Sequence, residues 1–345
     1  MSEQLYNKKS KNELIEQLHN EDFSRLTLSF YKYIEINNTE DLRNKIYRDL
    51  SSMKILGRIY IAKEGVNAQI SIPIHHLDNL MNYINSENIL KDAKIKGAVE
   101  DGESFYKLKI KVKDEIVAYG IDRSEYDMNN VGKHLSPEEF NRTIEDANCT
   151  IVDIRNHYES EVGHFENAIL PDVDRSQELL PEVKKMLKGK EKEKILLYCT
   201  GGIRCEKASS YLIKNNFKDV NQLDGGVINY ANQVKKKKIK SKYIGKNFVF
   251  DNRLGERITS DIISSCHQCQ NKSDSHTNCA NDLCHLLFIQ CETCQLKYNG
   301  CCSKECSNYL ALSDDDKINE KEKFLDYNER RLKGKVKPKL YEIIN

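Results

Sequence analysis

The segment that follows an apolar run at Lys194–Tyr198 combines residue types that activate a thiol. Cys199 comes directly after this predicted strand, Gly201 and Gly202 let backbone amides turn inward, and a helix is predicted from about Cys205. Backbone N–H groups and the positive end of a helix stabilise an anion, and the thiolate is the nucleophilic form of cysteine. The pattern therefore predicts a reactive Cys199 whose pKa lies below the usual value of about 8.5. The predicted cradle around its sulfur consists of Thr200, Gly201, Gly202, Ile203 and Arg204.

The length of this loop indicates which group it can enclose. Four residues separate Cys199 from Arg204, one fewer than a loop around a phosphoryl group needs, so the outer sulfur of a persulfide fits better. Arg204 either supplies a cation to the thiolate or pairs with a neighbouring acid and stiffens the cradle. Cys205 either resolves an oxidised Cys199 as a disulfide or is an inert residue of the first helical turn. The alternative for Cys199 itself is an unreactive cysteine at the end of a strand.

A second group of residues that could bind metal or react lies later in the chain. Of twelve cysteines, nine fall between positions 266 and 306. They include two Cys-x-x-Cys pairs, each followed by a further pair, and tetrahedral Zn²⁺ sites need such spacing because the thiolates must converge on one ion at about 2.3 Å. We predict structural zinc, as one ion or two, with an iron–sulfur centre or free, redox-active thiols as alternatives. The candidate ligands are Cys266, Cys269, Cys279, Cys284, Cys291, Cys294, Cys301, Cys302 and Cys306, and the nearby His267, His276 and His285 are more typical of bystanders.

The composition limits the classes of function. The 345 residues carry 54 lysines and arginines against 53 aspartates and glutamates, a net charge of +1, which excludes a uniformly basic RNA-coating protein. The sequence contains no apolar run of about 18 residues that could span a membrane, and its first residues lack the apolar stretch of a signal peptide. We therefore expect no membrane association and a cytoplasmic location, where cysteines more often bind metal or react than form disulfides.

One local patch departs from this charge balance. Between Asp224 and Asp251 there are seven lysines and no acidic residue. Lysines that reach phosphates release counterions and make binding depend on salt, so the stretch predicts a contact with an RNA backbone. A solvated linker is the alternative. The candidate RNA-binding residues, called the lysine run below, are Lys235, Lys236, Lys237, Lys238, Lys240 and Lys242.

Hydrophobic periodicity predicts the elements that position these groups. Residues 24–122 alternate strands and helices in the order βαββαβ, with Thr39 capping the first helix, which predicts a ferredoxin-like or acylphosphatase-like domain. Tyr33, Tyr60 and Tyr106 on its strands are candidates for base stacking, with packing as the alternative.

Residues 133–240 begin with a Ser-x-x-Glu capping box at Ser136, and short apolar strands then alternate with helices. This order predicts a parallel α/β sheet whose ligand site lies at the carboxyl ends of the strands. Residues 246–310 form the cysteine-rich region. The charged tail at 313–345 is expected to be a solvated helix or a mobile end.

Several motifs of the second region resemble the rhodanese domain. Besides the loop at Cys199, they are the Asp-x-Arg element at Asp153–Arg155, the Gly-His-Phe-Glu-Asn-Ala segment at Gly163–Ala168 and the turn at Leu223–Gly226. The resemblance implies a rhodanese-like parallel α/β domain.

The order of the three regions makes the resemblance more specific. The cysteine-rich stretch at Cys284–Cys294, with Phe248–Asp251 upstream, resembles the C-terminal region of the bacterial tRNA uridine hydroxylases, and the resemblance covers about residues 24–310. It implies hydroxylation of the wobble uridine of tRNA, position 34, at C5, with O₂ as co-substrate and 5-hydroxyuridine as product.

The route to oxygen insertion stays open in the sequence, which carries no flavin, NAD or haem signature. Cys199 would either add to C6 of the uracil or carry a persulfide or peroxidised sulfur. Two other functions remain as alternatives: a persulfide-carrying sulfurtransferase, and a non-catalytic, zinc-dependent RNA-binding protein.

Overall fold

The computed structural model describes residues 5–146, 148–332 and 339–341. After a helix α1 (Lys11–His19), the chain forms an N-terminal α+β domain. Its elements are β1 (Arg25–Tyr33), α2 (Thr39–Ser52), β2 (Leu56–Ala62), β3 (Gly65–Pro73), α3 (Leu77–Ser86), β4 (Lys96–Gly97) and β5 (Leu108–Val112). The sheet order is β4-β1-β3-β2-β5, in which β5 runs parallel to β2 and the other neighbours are antiparallel.

The two faces of this sheet differ because side chains alternate along each strand. One face packs against α2 and α3, where Ile46, Leu50 and Leu80 form part of a buried apolar core. The opposite face is polar and is directed toward the second domain. The predicted α+β fold is confirmed.

One detail of the predicted first helix is wrong. The N-cap of α2 is Asn38, whose side chain accepts a hydrogen bond from the Asp41 backbone N–H at 3.1 Å, and Thr39 is the first residue of the helix. Asparagine and threonine are both favoured at an N-cap, so only the backbone geometry decides between Asn38 and Thr39.

The second domain is a parallel α/β sheet, as predicted. Its elements are β6 (Lys133–Leu135), α4 (Pro137–Ile144), β7 (Cys149–Asp153), α5 (His157–Ser160), β8 (Gly163–Phe165), α6 (Ser176–Met186), β9 (Lys194–Tyr198), α7 (Ile203–Lys214), β10 (Asp219–Leu223) and α8 (Gly226–Lys237). The strand order is β6-β10-β9-β7, and all of these pairs are parallel. The capping box is present at the start of α4, where the Ser136 hydroxyl accepts from the Glu139 backbone N–H.

The cysteine-rich region is attached to the second domain by strand pairing. It contains β11 (Tyr243–Asn247), β12 (Glu256–Arg257), β13 (His276–Asn278), β14 (Leu287–Ile289), α9 (Glu292–Lys297) and α10 (Lys304–Leu310). Strand β11 pairs with β8 on one side and with β12 on the other.

The tail forms the helix α11 (Asp314–Leu332), but this helix is only partly solvated. Phe324 is 7% exposed and belongs to the apolar cluster that contains several late cysteines, so the tail packs on the cysteine-rich region. Residues 333–338 and 342–345 of the predicted tail lie outside the described residues. Among the helices of the described segments, none has the length and apolar character that a membrane span requires.

Candidate functional site

Cys199 lies where β9 ends, at the carboxyl edge of the parallel sheet. Its side chain is fully buried, and the Gly202 backbone N–H donates to Sγ at 3.1 Å. Gly202 has a φ of +95°, in the region that favours glycine, and it is the N-cap of α7. The turn therefore directs a backbone amide and the positive end of a helix at the sulfur.

The surroundings of Cys199 favour its thiolate. Burial raises the pKa of this thiol, but the Cys205 thiol, the charge of Arg204 and the backbone amides of Cys205 and Gly202 outweigh burial and lower the pKa to about 6. Cys205 is also fully buried, and burial together with the neighbouring Cys199 raises its pKa well above the ordinary value. These shifts favour the thiolate form of Cys199 and the protonated form of Cys205.

Arg204 pairs with an acid, which is one of the two roles left open by the sequence. Its Nη1 and Nη2 donate to the two carboxylate oxygens of Glu159 at 2.6 and 2.7 Å, and Nη2 also donates to Thr200 Oγ1 at 3.0 Å. Burial raises the pKa of Glu159, but the charge and hydrogen bonds of Arg204 lower it below its usual value. The arginine thus braces the loop against α5 and acts on Cys199 through its charge.

The N-terminal domain covers the loop. Tyr31 of β1 donates to Glu206 Oε1 at 2.9 Å, and Tyr33, two residues along the same face, donates to the backbone oxygen of Ile203 at 3.2 Å. Tyr33 had been a candidate for base stacking, and the structure places its hydroxyl on the loop backbone. The polar face of the first sheet and the Cys199 loop of the second domain therefore form one candidate site.

Lys207 of α7 links the same two parts in the interior. Its side chain is fully buried, and Nζ donates to Glu64 Oε1 and to Glu115 Oε2 at 2.9 Å each and to the Val117 backbone oxygen at 3.3 Å. Glu64 lies in the turn between β2 and β3 of the N-terminal domain. A buried ion network thus holds this hairpin against the helix that begins at the loop.

A cavity of about 330 Å³ lies between the polar sheet face and the loop. Its walls come from β1–β4, from loop residues 200–204 and from residues 249–256 of the cysteine-rich region, and Tyr60 is part of the lining. Its size is that of a small-ligand pocket. Cys199 is fully buried behind the loop residues that line this cavity.

Lys96 is a lining residue whose ammonium group makes no hydrogen bond among the described residues. It is 9% exposed, its Nζ lies 4.5 Å from the centre of the Tyr31 ring, and Nζ has no hydrogen-bond partner among the described residues. Burial lowers the pKa of Lys96 to about 8, although the nearby Cys199 and Asp224 oppose this effect. The ammonium group is therefore desolvated in the cavity close to the reactive loop.

Eight of the nine late cysteines converge in two groups that could hold metal ions. Within each group the four Sγ atoms lie within 4.8 Å of one another. Sulfurs held about 2.3 Å from a tetrahedral ion are about 3.8 Å apart, and neighbouring Sγ atoms here are 3.5–3.6 Å apart. The first group is Cys266, Cys269, Cys291 and Cys294, and the second is Cys279, Cys284, Cys302 and Cys306. Cys301 belongs to neither group.

The tail contributes to the second group. Arg331 of α11 donates to Cys302 Sγ at 2.9 Å. Four thiolates around a divalent ion leave a net negative charge, which the guanidinium of Arg331 would offset. The four-sulfur geometry and this counter-charge both fit a bound cation.

The lysine run lies away from the cavity. Helix α8 begins beside the loop, where the Val227 backbone N–H donates to the Cys199 backbone oxygen at 2.9 Å, and at about 1.5 Å per residue its end at Lys237 is about 15 Å further on. Lys237 pairs with Glu138, and Lys242 pairs with Glu145.

A second set of lysines is closer to the cavity. Lys109 and Lys111 on β5 and Lys107 directly before it, together called the β5 lysines below, continue the polar sheet face beyond Arg58. Arg58 lines the cavity and is the register partner of Lys109. The charges of Lys111, together with burial and the charges of Lys107 and Arg58, lower the pKa of Lys109, as expected where positive charge accumulates.

Sequence reasoning did not single out Tyr31, Glu159 or Lys96. The alternation along β1 places Tyr31 on the same face as Tyr33, which was a usable signal. The contact of Glu159 with Arg204 spans 45 positions, so no local pattern predicts it. Nothing in the pattern around Lys96 separates it from a solvent-facing lysine.

Family models match all three regions. They are the UPF0176 acylphosphatase like domain over residues 25–116, the Rhodanese-like domain over residues 136–233 and the Rhodanase C-terminal over residues 244–307. Together with the loop and the two cysteine groups, they define a rhodanese-domain protein with an acylphosphatase-like N-terminal domain and a cysteine-rich C-terminal region.

Full-length relatives make the assignment specific. The tRNA uridine(34) hydroxylase of Leptospira interrogans is 52% identical over 340 residues, which cover 98% of this chain and 93% of that protein. That of Photorhabdus laumondii is 46% identical over 310 residues, which cover 89% of this chain and 88% of the relative. The chain belongs to the tRNA uridine(34) hydroxylase family, which confirms the resemblance.

Among solved structures, the Alr3790 protein from Anabaena sp. is 20% identical to this chain, with a TM-score of 0.27. The match covers 32% of this chain and 91% of the Alr3790 chain. This overlap adds nothing to the family assignment.

Proposed function

We propose that this protein hydroxylates the wobble uridine of tRNA at C5, with O₂ as co-substrate and 5-hydroxyuridine as product. The observation that carries the proposal is the 52% identity, over 98% of the chain, to a protein named tRNA uridine(34) hydroxylase. The site supports it, because a thiol with a pKa near 6 lies behind the wall of a cavity of small-ligand size.

Cys199 is the proposed reactive residue. If its thiolate adds to C6 of the uracil, an S–C6 bond forms, the C5=C6 π bond breaks, and the electron pair moves onto C5 and the C4 oxygen, so that C5 becomes nucleophilic toward oxygen. Within the cradle residues 200–204, the Gly202 N–H holds the sulfur and Arg204 stiffens the loop through Glu159. The raised pKa of Cys205 suits a proton donor to the thiolate better than a second nucleophile.

The burial of Cys199 affects the two proposed sulfur chemistries, direct addition to the uracil and a persulfide, in different ways. Direct addition requires the base to displace part of the loop, because Sγ is fully buried. A persulfide would extend the reactive atom by about 2.05 Å, the length of an S–S bond, toward the cavity. Mass spectrometry of the intact protein before and after a reducing agent distinguishes them, because only a persulfide gives a reducible gain of one sulfur atom.

We assign zinc to both four-cysteine groups. Zn²⁺ favours four thiolates in a tetrahedral arrangement, and the 3.5–3.6 Å sulfur separations suit one ion per group, whereas an iron–sulfur cluster would hold its cysteines further apart. Bound zinc would organise the cysteine-rich region, from which residues 249–256 reach the cavity. A tRNA substrate and reduced thiols both favour a cytoplasmic location.

The substrate assignment is tested by nucleoside mass spectrometry of tRNA from cells with and without the gene. Restoring the gene should restore 5-hydroxyuridine, and restoring the Cys199→Ala variant should not. The Cys199→Ala variant counts as folded when its zinc content and its melting temperature equal those of the wild type. If 5-hydroxyuridine persists in full in the deletion strain, with no second route to it, the proposal is refuted.

A sulfurtransferase is the second candidate, favoured by the four-residue spacing between Cys199 and Arg204. It predicts transfer of sulfur from thiosulfate to a small acceptor in the absence of RNA, and loss of that transfer in Cys199→Ala. Retention of all cellular function by the same variant would instead favour the non-catalytic RNA-binding alternative.

A further inference from the structure

One row of register partners crosses the polar face of the N-terminal sheet. Lys96 of β4 is opposite Ser29 of β1, Ser29 is opposite Gln69 of β3, Gln69 is opposite Arg58 of β2, and Arg58 is opposite Lys109 of β5. Neighbouring strands are about 4.8 Å apart, so the row is about 19 Å long. The first four residues line the cavity, and Lys109 is exposed beyond it.

Three polar atoms of this row are buried without a hydrogen-bond partner among the described residues: Ser29 Oγ, Arg58 Nε and Lys96 Nζ. Buried polar groups are normally satisfied, because an unmade hydrogen bond leaves the cost of desolvation uncompensated. Each of the three can donate a hydrogen bond, and two carry a positive charge. A ligand that offers acceptor oxygens along the row would satisfy all of them.

A nucleotide has acceptors of this kind at both ends. A uracil ring carries carbonyl oxygens at C2 and C4, and the phosphate on the other side of the sugar carries negatively charged oxygens. Tyr60, in the next row of the same face, also lines the cavity and offers an aromatic surface to a base.

The two ends of the row differ in a way that orients the ligand. Lys96 is desolvated and close enough to Cys199 for their charges to interact, so the reacting ring belongs at this end. Lys109 is exposed and is flanked by Lys107 and Lys111, where the rest of an RNA chain can continue into solvent. Arg58 is held between them, because its Nη2 donates to the Phe250 backbone oxygen.

We propose that this row binds the nucleotide to be modified, with Lys96 donating to the C4 oxygen of the uracil ring, Ser29 donating to its C2 oxygen, and Arg58 and Lys109 holding its phosphate. The inference rests on the proposed function and adds to it how the base is recognised. Cytosine carries an amino donor at C4 where uracil carries an acceptor. The ammonium group of Lys96 can only donate hydrogen bonds, so it favours the binding of uracil over that of cytosine at this position.

The test uses the full-length protein and two anticodon stem–loop RNAs that differ only in uridine or cytidine at the wobble position. Fluorescence anisotropy gives the affinity of each RNA. A good side-chain contact to a base discriminates by about 5- to 150-fold, so the wild type should prefer the uridine RNA within that range. Lys96→Met should remove this preference, because methionine fills the space without a donor. Ser29→Ala should weaken the binding of both RNAs alike, because a hydroxyl can donate or accept and both bases carry a C2 oxygen.

Variants at the other end of the row should behave differently. Arg58→Gln and Lys109→Gln should weaken the binding of both RNAs equally and reduce the salt slope of log Kd by about one each, as for a phosphate contact. Lys94→Met is the matched control, because Lys94 lies two residues before Lys96, has a 70% exposed side chain and pairs with Asp224 outside the row. Its preference should equal that of the wild type.

An unchanged uridine preference in Lys96→Met, or an equal loss of preference in Lys94→Met, would overturn the inference. Lys96→Arg guards against a folding artefact, because it keeps the charge and the donors and should retain most of the preference. Binding is measured without turnover. Formation of 5-hydroxyuridine with an unchanged preference would therefore refute only this inference, whereas a Lys96-dependent preference without any 5-hydroxyuridine would refute only the proposed function.

Discussion

Replacing Lys207 with methionine tests whether a buried cation holds the N-terminal domain against the reactive loop. Lys207 is fully buried and donates to Glu64, Glu115 and the Val117 backbone oxygen. The side chains of Glu64 and Glu115 are 5% and 20% exposed, so the substitution leaves two poorly solvated carboxylates next to each other. Because methionine has nearly the same volume, the loss of charge dominates over any change in packing.

The expected effect is large. Removing one partner of a buried ion pair lowers the free energy of unfolding by about 3–5 kcal/mol. Lys207 joins two domains that together span residues 24–240. For a unit of about 150–250 residues, 1 kcal/mol moves the melting temperature by about 2–4 °C, so Lys207→Met should melt about 6–20 °C below the wild type. Adding Glu115→Gln should recover part of this loss, because it removes one of the two unpaired carboxylates.

The assay is thermal unfolding followed by circular dichroism at pH 7. Lys214→Met is the control, because Lys214 is exposed on the same helix, and its effect should stay within about 0.5 kcal/mol. A melting temperature of Lys207→Met within 2 °C of that of Lys214→Met would refute the assigned role of the buried network. A decrease that Glu115→Gln makes larger instead of smaller would contradict the charge argument.

Three further predictions concern the thiol, the metal groups and the RNA surface. The pKa of Cys199 is lowered to about 6, so its thiolate is present above pH 6 and is lost below it. We therefore expect kcat/KM for tRNA modification to fall about tenfold per pH unit below 6 and to stay level from pH 7 to 8. A pH profile without a bend between pH 5 and 7 would contradict this. Cys302→Ser should reduce the zinc content from two ions per chain to one, by atomic emission, while the adjacent Cys301→Ser keeps two; equal zinc content in both variants would contradict the grouping. Changing the β5 lysines to glutamine should weaken tRNA binding and lower its salt slope more than the same change in the lysine run, since two members of the run already pair with glutamates and the run ends away from the cavity. The opposite order would place the RNA on the lysine run.

Local signals in the sequence were sufficient for the fold and for the strand, turn and helix that carry Cys199. The capping box at Ser136, the apolar strands and the Gly201-Gly202 turn are each specified by neighbouring residues, and the structure contains these elements where periodicity predicted them. The spacing of the late cysteines likewise predicted metal groups. It left open whether the cysteines hold one ion or two and which cysteine is excluded, because ligands 18 to 28 positions apart meet only through the folding of intervening turns.

Contacts between distant segments decided the rest of the site. The pairing of Arg204 with Glu159, the position of Lys207 between two carboxylates and the row from Lys96 to Lys109 all depend on how separate domains and strands align. A sequence determines which side chains share a face of a strand, because that alternation is local. Only the tertiary structure determines which face meets the loop, which charges are desolvated there and which donors are left without partners, because burial and electrostatic interaction depend on distance in space.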